Sequence, residues 1–299
     1  MRILVTGAAG RLGKEIVRVF SAAHEVYGFD IAPDAVAEML DILDERAVAS
    51  CVAGVRPDLA VHAAAYTDVD GCESDPDTAF RVNAIGTWNI AAACAKADVP
   101  VAYVSTDFVF DGEKDEPYIE FDEPNPISVY GYSKLAGEKV MRDICPKHFI
   151  IRTAWLYADG GKSFPAAILE AAFAGKPLKV VTDQVGSPTY DPDLAEGIYK
   201  LVMSSDDTVS SMFGTYHLTN QGRCSRYELA KKAVKLAGLN VVIEQTISGD
   251  YNAPGKKIAR RPRNSVLRNY ALELRGMELM RPWEDALAEF VGKWTTAKH

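Results

Sequence analysis

Cysteine and positive charge are both scarce in this chain, and long apolar runs are missing. Its 299 residues carry only five cysteines, Cys51, Cys72, Cys94, Cys145 and Cys224. The number is odd and no spacing is a CxxC or another metal-ligand pattern, which sets aside a disulfide framework and a cysteine-held metal. Reduced structural thiols in a cytoplasmic protein are the expectation. Lys and Arg total 33 against 41 Asp and Glu, a formal net charge of -8. Binding to nucleic acid or to an anionic membrane calls for the opposite sign. No apolar run approaches bilayer length. Met1 to Val5 leads straight into a strand-like segment, so no secretory leader is expected. Repeats and low-complexity linkers are absent as well.

What is present is an alternation. Arg2–Thr6 reads as a β-branched strand, and Leu12, Ile16, Val19 and Phe20 then recur at helical spacing. Strand patterns return at Glu25–Asp30, Leu59–Ala65, Val99–Thr106 and Phe149–Tyr157. Between them the pattern predicts helices over Asp77–Ala97 and Ser133–Arg142. Strands alternating with helices imply an α/β fold of the Rossmann type, a doubly wound parallel sheet covered on both faces. The second half is less regular. Helices are expected at Ser163–Phe173, Asp193–Met203, Ser225–Ala237 and Trp283–Trp294, and strands at Leu178–Thr182 and Gly214–Thr219, the latter rejoining the main sheet. Trp283, Trp294, Leu287 and Phe290 read as packing for the last helix. The domain reading is a dinucleotide-binding unit over 1–155, joined by about 183–222, with a smaller, interrupted substrate-binding region over 156–182 and 223–299.

The first strand runs into Thr6-Gly7-Ala8-Ala9-Gly10-Arg11-Leu12-Gly13. Glycine permits a tight turn and lets the backbone approach a pyrophosphate, while the N–H groups at the following helix start face the anion. The spacing is GxxGxxG rather than GxGxxG. Its context supports it: a strand before, a helix after, and Asp30 at the end of the next strand. A carboxylate there accepts from a ribose diol and repels a 2′-phosphate, which leans toward NADH over NADPH without settling the choice.

Tyr130-Gly131-Tyr132-Ser133-Lys134 places a phenol and an amine four residues apart, on one helix face. An ammonium near a phenol favours phenolate and lowers its pKa, and such a tyrosine can exchange a proton with a substrate oxygen. The preceding strand ends in Ser105-Thr106-Asp107-Phe108-Val109-Phe110-Asp111-Gly112. A hydroxyl at the C-terminal end of a parallel strand sits where open α/β sheets bind ligands, so Thr106 can share that oxygen with Tyr130.

These motifs together resemble the extended short-chain dehydrogenases/reductases, and within them the dTDP-4-dehydrorhamnose reductases. The likeness continues through His62-Ala63-Ala64-Ala65-Tyr66-Thr67-Asp68-Val69-Asp70, Asn83-Ala84-Ile85-Gly86-Thr87 and Arg152-Thr153-Ala154-Trp155-Leu156-Tyr157. It extends to Asp183-Gln184-Val185-Gly186-Ser187-Pro188-Thr189 and Ala259-Arg260-Arg261-Pro262-Arg263-Asn264-Ser265, so it spans nearly the whole chain. The resemblance implies NADH- or NADPH-dependent reduction of a nucleotide-sugar C4 ketone, dTDP-4-dehydro-L-rhamnose to dTDP-L-rhamnose. It makes Tyr130 the proton donor, gives Lys134 the nicotinamide ribose, and sets Thr106 on the C4 oxygen. Gly7, Gly10, Arg11, Leu12, Gly13, Asp30, Asp41, Ile42, Ala63, Ala64, Ala65 and Tyr66 would line the cofactor. Asp107, Phe108 and Trp155 would meet the sugar. Arg260 or Arg261, in the basic loop that begins at Lys256-Lys257, would meet the diphosphate.

The sequence also departs from that pattern. His62 stands where the family often has Asn, and reads as a strand-end histidine with a local hydrogen bond. Ser163 replaces another Asn, which touches sugar specificity. Glu15 matches a magnesium ligand of some relatives, but Pro192 replaces a second ligand. No metal is therefore expected, and Glu15 reads as a first-turn acid serving the helix dipole. A homodimer is compatible with the resemblance. Two competing functions stay open: another nucleotide-sugar epimerase or dehydratase, and a non-catalytic dinucleotide-binding regulatory subunit of the methionine adenosyltransferase type. No Glu follows Thr106-Asp107, which argues mildly against dehydration.

Overall fold

The computed structural model describes residues 1–204, 212–251 and 258–298. Strands β1 (Arg2–Thr6), β2 (Glu25–Asp30), β3 (Glu38–Met39), β4 (Leu59–His62), β5 (Val101–Thr106) and β6 (His148–Thr153) build the main sheet. Short strands β7 (Leu156–Tyr157), β8 (Leu178–Val181), β9 (Val185–Gly186) and β10 (Thr189–Tyr190) come next, then β11 (Gly214–His217), β12 (Cys224–Ser225) and β13 (Ile243–Thr246). The main sheet has seven strands in the order β11-β6-β5-β4-β1-β2-β3, and every pairing in it is parallel. The expected return of the Gly214 segment to this sheet is observed. Strand order reverses between β1 and β4, and the crevice outside the carboxyl ends at such a switch point is where doubly wound sheets bind ligands.

The helices are α1 (Arg11–Ser21), α2 (Glu45–Val55), α3 (Val69–Ser74), α4 (Pro76–Phe80), α5 (Thr87–Lys96), α6 (Val129–Ile144), α7 (Phe164–Phe173), α8 (Asp191–Met203), α9 (Arg226–Leu236), α10 (Tyr270–Glu273) and α11 (Trp283–Lys298). One apolar layer joins α1 and α8 to the sheet through Ile3, Val5, Ile16, Phe20, Leu194 and Ile198. The opposite face buries Leu4, Val48, Val52, Ile90, Tyr103 and Met141. The sheet is therefore covered on both sides, as its continuous hydrophobic strands require. A separate cluster under α11 contains Trp283, Leu287 and Phe290, with Trp294 packed at its edge. The five cysteines are free thiols. No helix among the described residues is long and apolar enough to cross a membrane.

Two of the expected elements are interrupted. The single helix expected over Asp77–Ala97 is broken into α4, a π-helical turn over Arg81–Gly86, and α5. The cause is Asn83, whose amide turns inward to bond Tyr66 and Ser133. The strand expected over Phe149–Tyr157 stops at Thr153, because Trp155 adopts a left-handed φ of 48° that an extended strand cannot contain.

Candidate active site

Three crossover loops meet at the switch point. After β1, Gly7 has φ 74°, and a Cβ there would lie 2.6 Å from the Ala64 nitrogen. The glycine turn is thus pressed against the Ala63–Ala65 turn that follows β4. Helix α1 then begins at Gly10 with no side-chain cap, which leaves its first N–H groups to an anion. Leu12 and Gly13 are buried under this turn. Asp30, at the end of β2, accepts hydrogen bonds from Ala9 N at 3.1 Å and Ala32 N at 3.0 Å. Its carboxylate is thereby fixed at the rim of the glycine turn, with lone pairs to spare for a ribose. These features fit a dinucleotide. Asp41 accepts from Leu43 N, and Asn89 holds the Ile42 carbonyl at 2.8 Å. Arg11 points elsewhere: its Nη1 donates to Lys162 O at 2.7 Å, and its Nε stands 4.0 Å from Asp191.

His62 is buried between Thr6 and Thr87, its ring nitrogens 2.7 and 3.1 Å from their hydroxyls. Burial and then the nearby Lys134 charge push its pKa down to about 3, so the imidazole is neutral and structural, as its strand-end position implied. Asn83 closes the Ala63–Tyr66 turn. Its Oδ1 accepts from Tyr66 N at 2.8 Å, and its Nδ2 donates to Tyr66 O and to Ser133 Oγ. The Ala63–Tyr66 turn is thereby tied to α6.

Helix α6 starts four residues earlier than its apolar pattern predicts, because Ser128 caps it by accepting from Gly131 N. That places Tyr130, Lys134 and Glu138 on one buried face. The Tyr130 phenol is buried against the Thr106 hydroxyl, with the Phe108 ring edge-on at 5.5 Å. Lys134 Nζ donates to Val104 O at 2.8 Å and lies 4.1 Å from the centre of the Tyr103 ring. Burial lowers the Lys134 pKa to about 7, with the Glu138 charge opposing the shift. The expected acidification of Tyr130 by Lys134 is not found in this arrangement. Burial raises the phenol above its ordinary value, Thr106 opposes this and Asp107 adds to it. The phenol is therefore protonated at neutral pH, the state that a proton donor requires.

Thr106 Oγ1 donates to Asp107 Oδ1 at 3.0 Å and accepts from Phe108 N at 3.2 Å. It is a cap and a site group at once. Trp155 turns its ring against Gly186 and under the Arg226 guanidinium, 3.5 Å from the ring centre. Arg226 carried no expected role. Burial lowers its pKa to about 10, and Asp107 resists that shift. An arginine in the first turn of a helix opposes the macrodipole, and that mismatch was the available signal. In the basic loop, Arg261 donates to both Asp70 oxygens, at 3.1 and 3.0 Å, and anchors the segment. Arg260 is exposed, with no ion pair among the described residues. Lys256 and Lys257 lie outside the described residues. Glu15 is not a first-turn acid: it sits in the second turn of α1, half-buried, and pairs with Arg18 at 2.8 Å. Asp191, at the start of α8, is buried with neither oxygen hydrogen-bonded; burial above all pushes its carboxyl up to about 7.

Comparison with known proteins identifies the family. The sequence model of a family described as RmlD substrate binding domain matches residues 1–296. The spore coat polysaccharide biosynthesis protein SpsK of Bacillus subtilis is 37% identical over 297 residues, covering 99% of each chain. The crystal structure of a dTDP-4-dehydrorhamnose reductase from Clostridium acetobutylicum is 39% identical with a TM-score of 0.89, covering 98% of this chain and 99% of that one. A Bacillus anthracis dTDP-4-dehydrorhamnose reductase in complex with NADP is 37% identical with a TM-score of 0.88, covering 97% and 98%.

Proposed function

The chain belongs to the RmlD substrate binding domain family of NAD(P)H-dependent oxidoreductases, and from that premise we propose that it reduces the C4 ketone of dTDP-4-dehydro-L-rhamnose to dTDP-L-rhamnose. The observation that carries this reading is the Tyr130 phenol, buried against Thr106 at the carboxyl end of β5 with Lys134 one helical turn further on. A bound NADH or NADPH supplies the hydride. The glycine turn, Gly7 to Gly13, takes the pyrophosphate, and Asp30 a ribose. Asp41 and Ile42 flank the adenine, and Ala63, Ala64, Ala65 and Tyr66 line the chain between. Lys134 holds the nicotinamide ribose. Tyr130 gives its proton to the oxygen that becomes the alkoxide, and Thr106 steadies that oxygen. Phe108 and Trp155 bound the sugar, and the exposed guanidinium of Arg260, with no ion pair among the described residues, is suited to the diphosphate. We assign cofactor binding to residues 1–155 joined by about 183–222, and substrate binding to 156–182 and 223–299. A cytoplasmic setting follows from the nucleotide-sugar substrate and the free thiols.

The test is oxidation of NADH and NADPH with enzymatically generated dTDP-4-dehydrorhamnose. Loss of a general acid costs roughly a hundredfold or more, so Tyr130→Phe should drop kcat to that extent while dinucleotide affinity is kept. A wild-type enzyme that binds the dinucleotide but turns over neither cofactor refutes the substrate assignment.

A further inference from the structure

The Thr106 hydroxyl has one proton and, in this structure, that proton is already committed. Oγ1 donates to Asp107 Oδ1 and accepts from Phe108 N. A ketone oxygen only accepts. While Asp107 draws on the Thr106 proton, Thr106 has nothing to offer a substrate carbonyl. Asp107 itself is 2% exposed, and its Oδ2 has no hydrogen-bond partner among the described residues. A buried carboxylate with so few partners is costly as an anion and less so as the neutral acid.

We propose that Asp107 is a positioning residue acting through Thr106. Neutral, it donates to the Thr106 oxygen and frees the Thr106 proton for the substrate carbonyl; charged, it withdraws that proton. The proposal rests on the reductase reading. In the neutral state Thr106 Oγ1 accepts from Phe108 N and from Asp107 and donates to the ketone, so that oxygen receives two donors, Thr106 and Tyr130. Preorganised donors aimed at a developing oxyanion are a large source of rate enhancement. Hydride addition and proton transfer from Tyr130 balance the reaction, and Asp107 keeps its own proton throughout.

The charged and polar groups facing Asp107 are few. Arg226 approaches from the start of α9 and Ser265 from the loop after the basic segment. Tyr130 faces it from α6, and Thr106 from its own strand. Arg261 stands behind Arg226, and Cys72 behind Tyr130. Burial outweighs Ser265, Thr106 and Arg226 and brings the carboxyl up to about 6. Neutral and charged forms therefore exchange within the working range of an assay.

The experiment compares kcat/KM for the 4-keto sugar nucleotide between about pH 5.5 and about pH 8, in wild type and Asp107→Asn. This constant reports groups of the free enzyme. An asparagine amide donates to Thr106 at every pH. Titrations of Lys134 and Tyr130 are common to both proteins and cancel in the ratio. The expected result is a wild-type-to-variant ratio that falls tenfold or more as pH rises, with a midpoint near that of Asp107. A ratio constant within twofold overturns the proposal, because a residue that only packs the site changes the rate without changing its pH dependence. Thr106→Val gives a second reading should the Asn variant not fold. Its slower turnover has no Asp107 limb, so the wild-type-to-Thr106→Val ratio must show the same fall, and a flat ratio overturns the proposal equally. If the wild type turns over no 4-keto sugar nucleotide, the reductase reading fails and this inference fails with it. If turnover is normal but the ratios are flat, this inference alone fails.

Discussion

Glu138→Ala probes the joint between fold and site. Glu138 is fully buried and accepts from Ser105 Oγ at 2.6 Å, Arg152 Nε at 2.9 Å, Arg152 Nη2 at 2.8 Å and Arg142 Nη2 at 2.7 Å. Arg152 is 1% exposed, with its Cζ 5.1 Å from the centre of the Phe110 ring. Removing the carboxylate leaves that guanidinium buried without its counter-charge, a loss of about 3–5 kcal/mol for broken buried pairs. At roughly 2 °C per kcal/mol for a domain of this size, Tm should fall by about 6–10 °C. Burial pushes the Glu138 pKa up, but the Arg152 charge and hydrogen bonds win and hold it below its ordinary value. A carboxyl depressed in the folded state stabilises fully above its unfolded pKa, and that stabilisation is lost as pH falls through the folded value. The penalty of the substitution should therefore be full at neutral pH and shrink in acid. Urea denaturation at pH 7 and in mild acid measures both quantities. A loss under 1 kcal/mol at pH 7, or one that grows in acid, refutes the reasoning.

Asp30→Ala removes the acceptor of Ala9 N and Ala32 N and, on the proposed cofactor pose, the partner of a ribose diol. The ratio of kcat/KM for NADPH to that for NADH should rise about tenfold or more, roughly the worth of one charged hydrogen bond; an unchanged ratio removes Asp30 from the ribose. His62, held near pKa 3 in the fold, titrates near 6.5 once unfolded. The unfolded chain then takes up a proton that the native one refuses, so stability is full above about pH 6.5. It declines toward pH 3, by up to about 1.4 kcal/mol per pH unit. His62→Gln should flatten the stability-versus-pH slope by that one proton, as read by denaturation at several pH values. Parallel wild-type and variant slopes would show that His62 does not titrate this way.

Much of this was legible in the residues because it depends on local spacing. The glycine turn, the acid ending β2 and the four-residue step from Tyr130 to Lys134 are written in short stretches of chain, and parallel strand order follows from the alternation of strand and helix. What was not legible depends on partners distant in sequence. The π turn around Asn83 arises from bonds to Tyr66 and Ser133, 17 and 50 residues away. Trp155 and Arg226 meet across 71 positions, and no periodicity announces such a stack. The direction of the Tyr130 shift was not legible for a related reason. Spacing shows that Lys134 shares a face with Tyr130, but not that its ammonium turns to Val104 O and Tyr103 while the phenol sinks into an apolar setting.

The same geometry explains why site and core cannot be separated here. Tyr130, Lys134 and Glu138 follow at i, i+4 and i+8 along α6, so one helix face carries the proposed proton donor, the amine proposed for the ribose, and the anchor. Glu138 reaches back to Ser105, the residue before Thr106. The strand that presents Thr106 is therefore fixed to the helix that presents Tyr130 by a buried charge cluster rather than by a loop. The register of β5 on β6, Ser105 opposite Arg152 and Thr106 opposite Thr153, keeps that cluster in line. A slip of one residue in β5 would turn Thr106 to the opposite face of the sheet, and one in β6 would strand Glu138 without Arg152. Catalytic distance and folding stability are in this way set by one network.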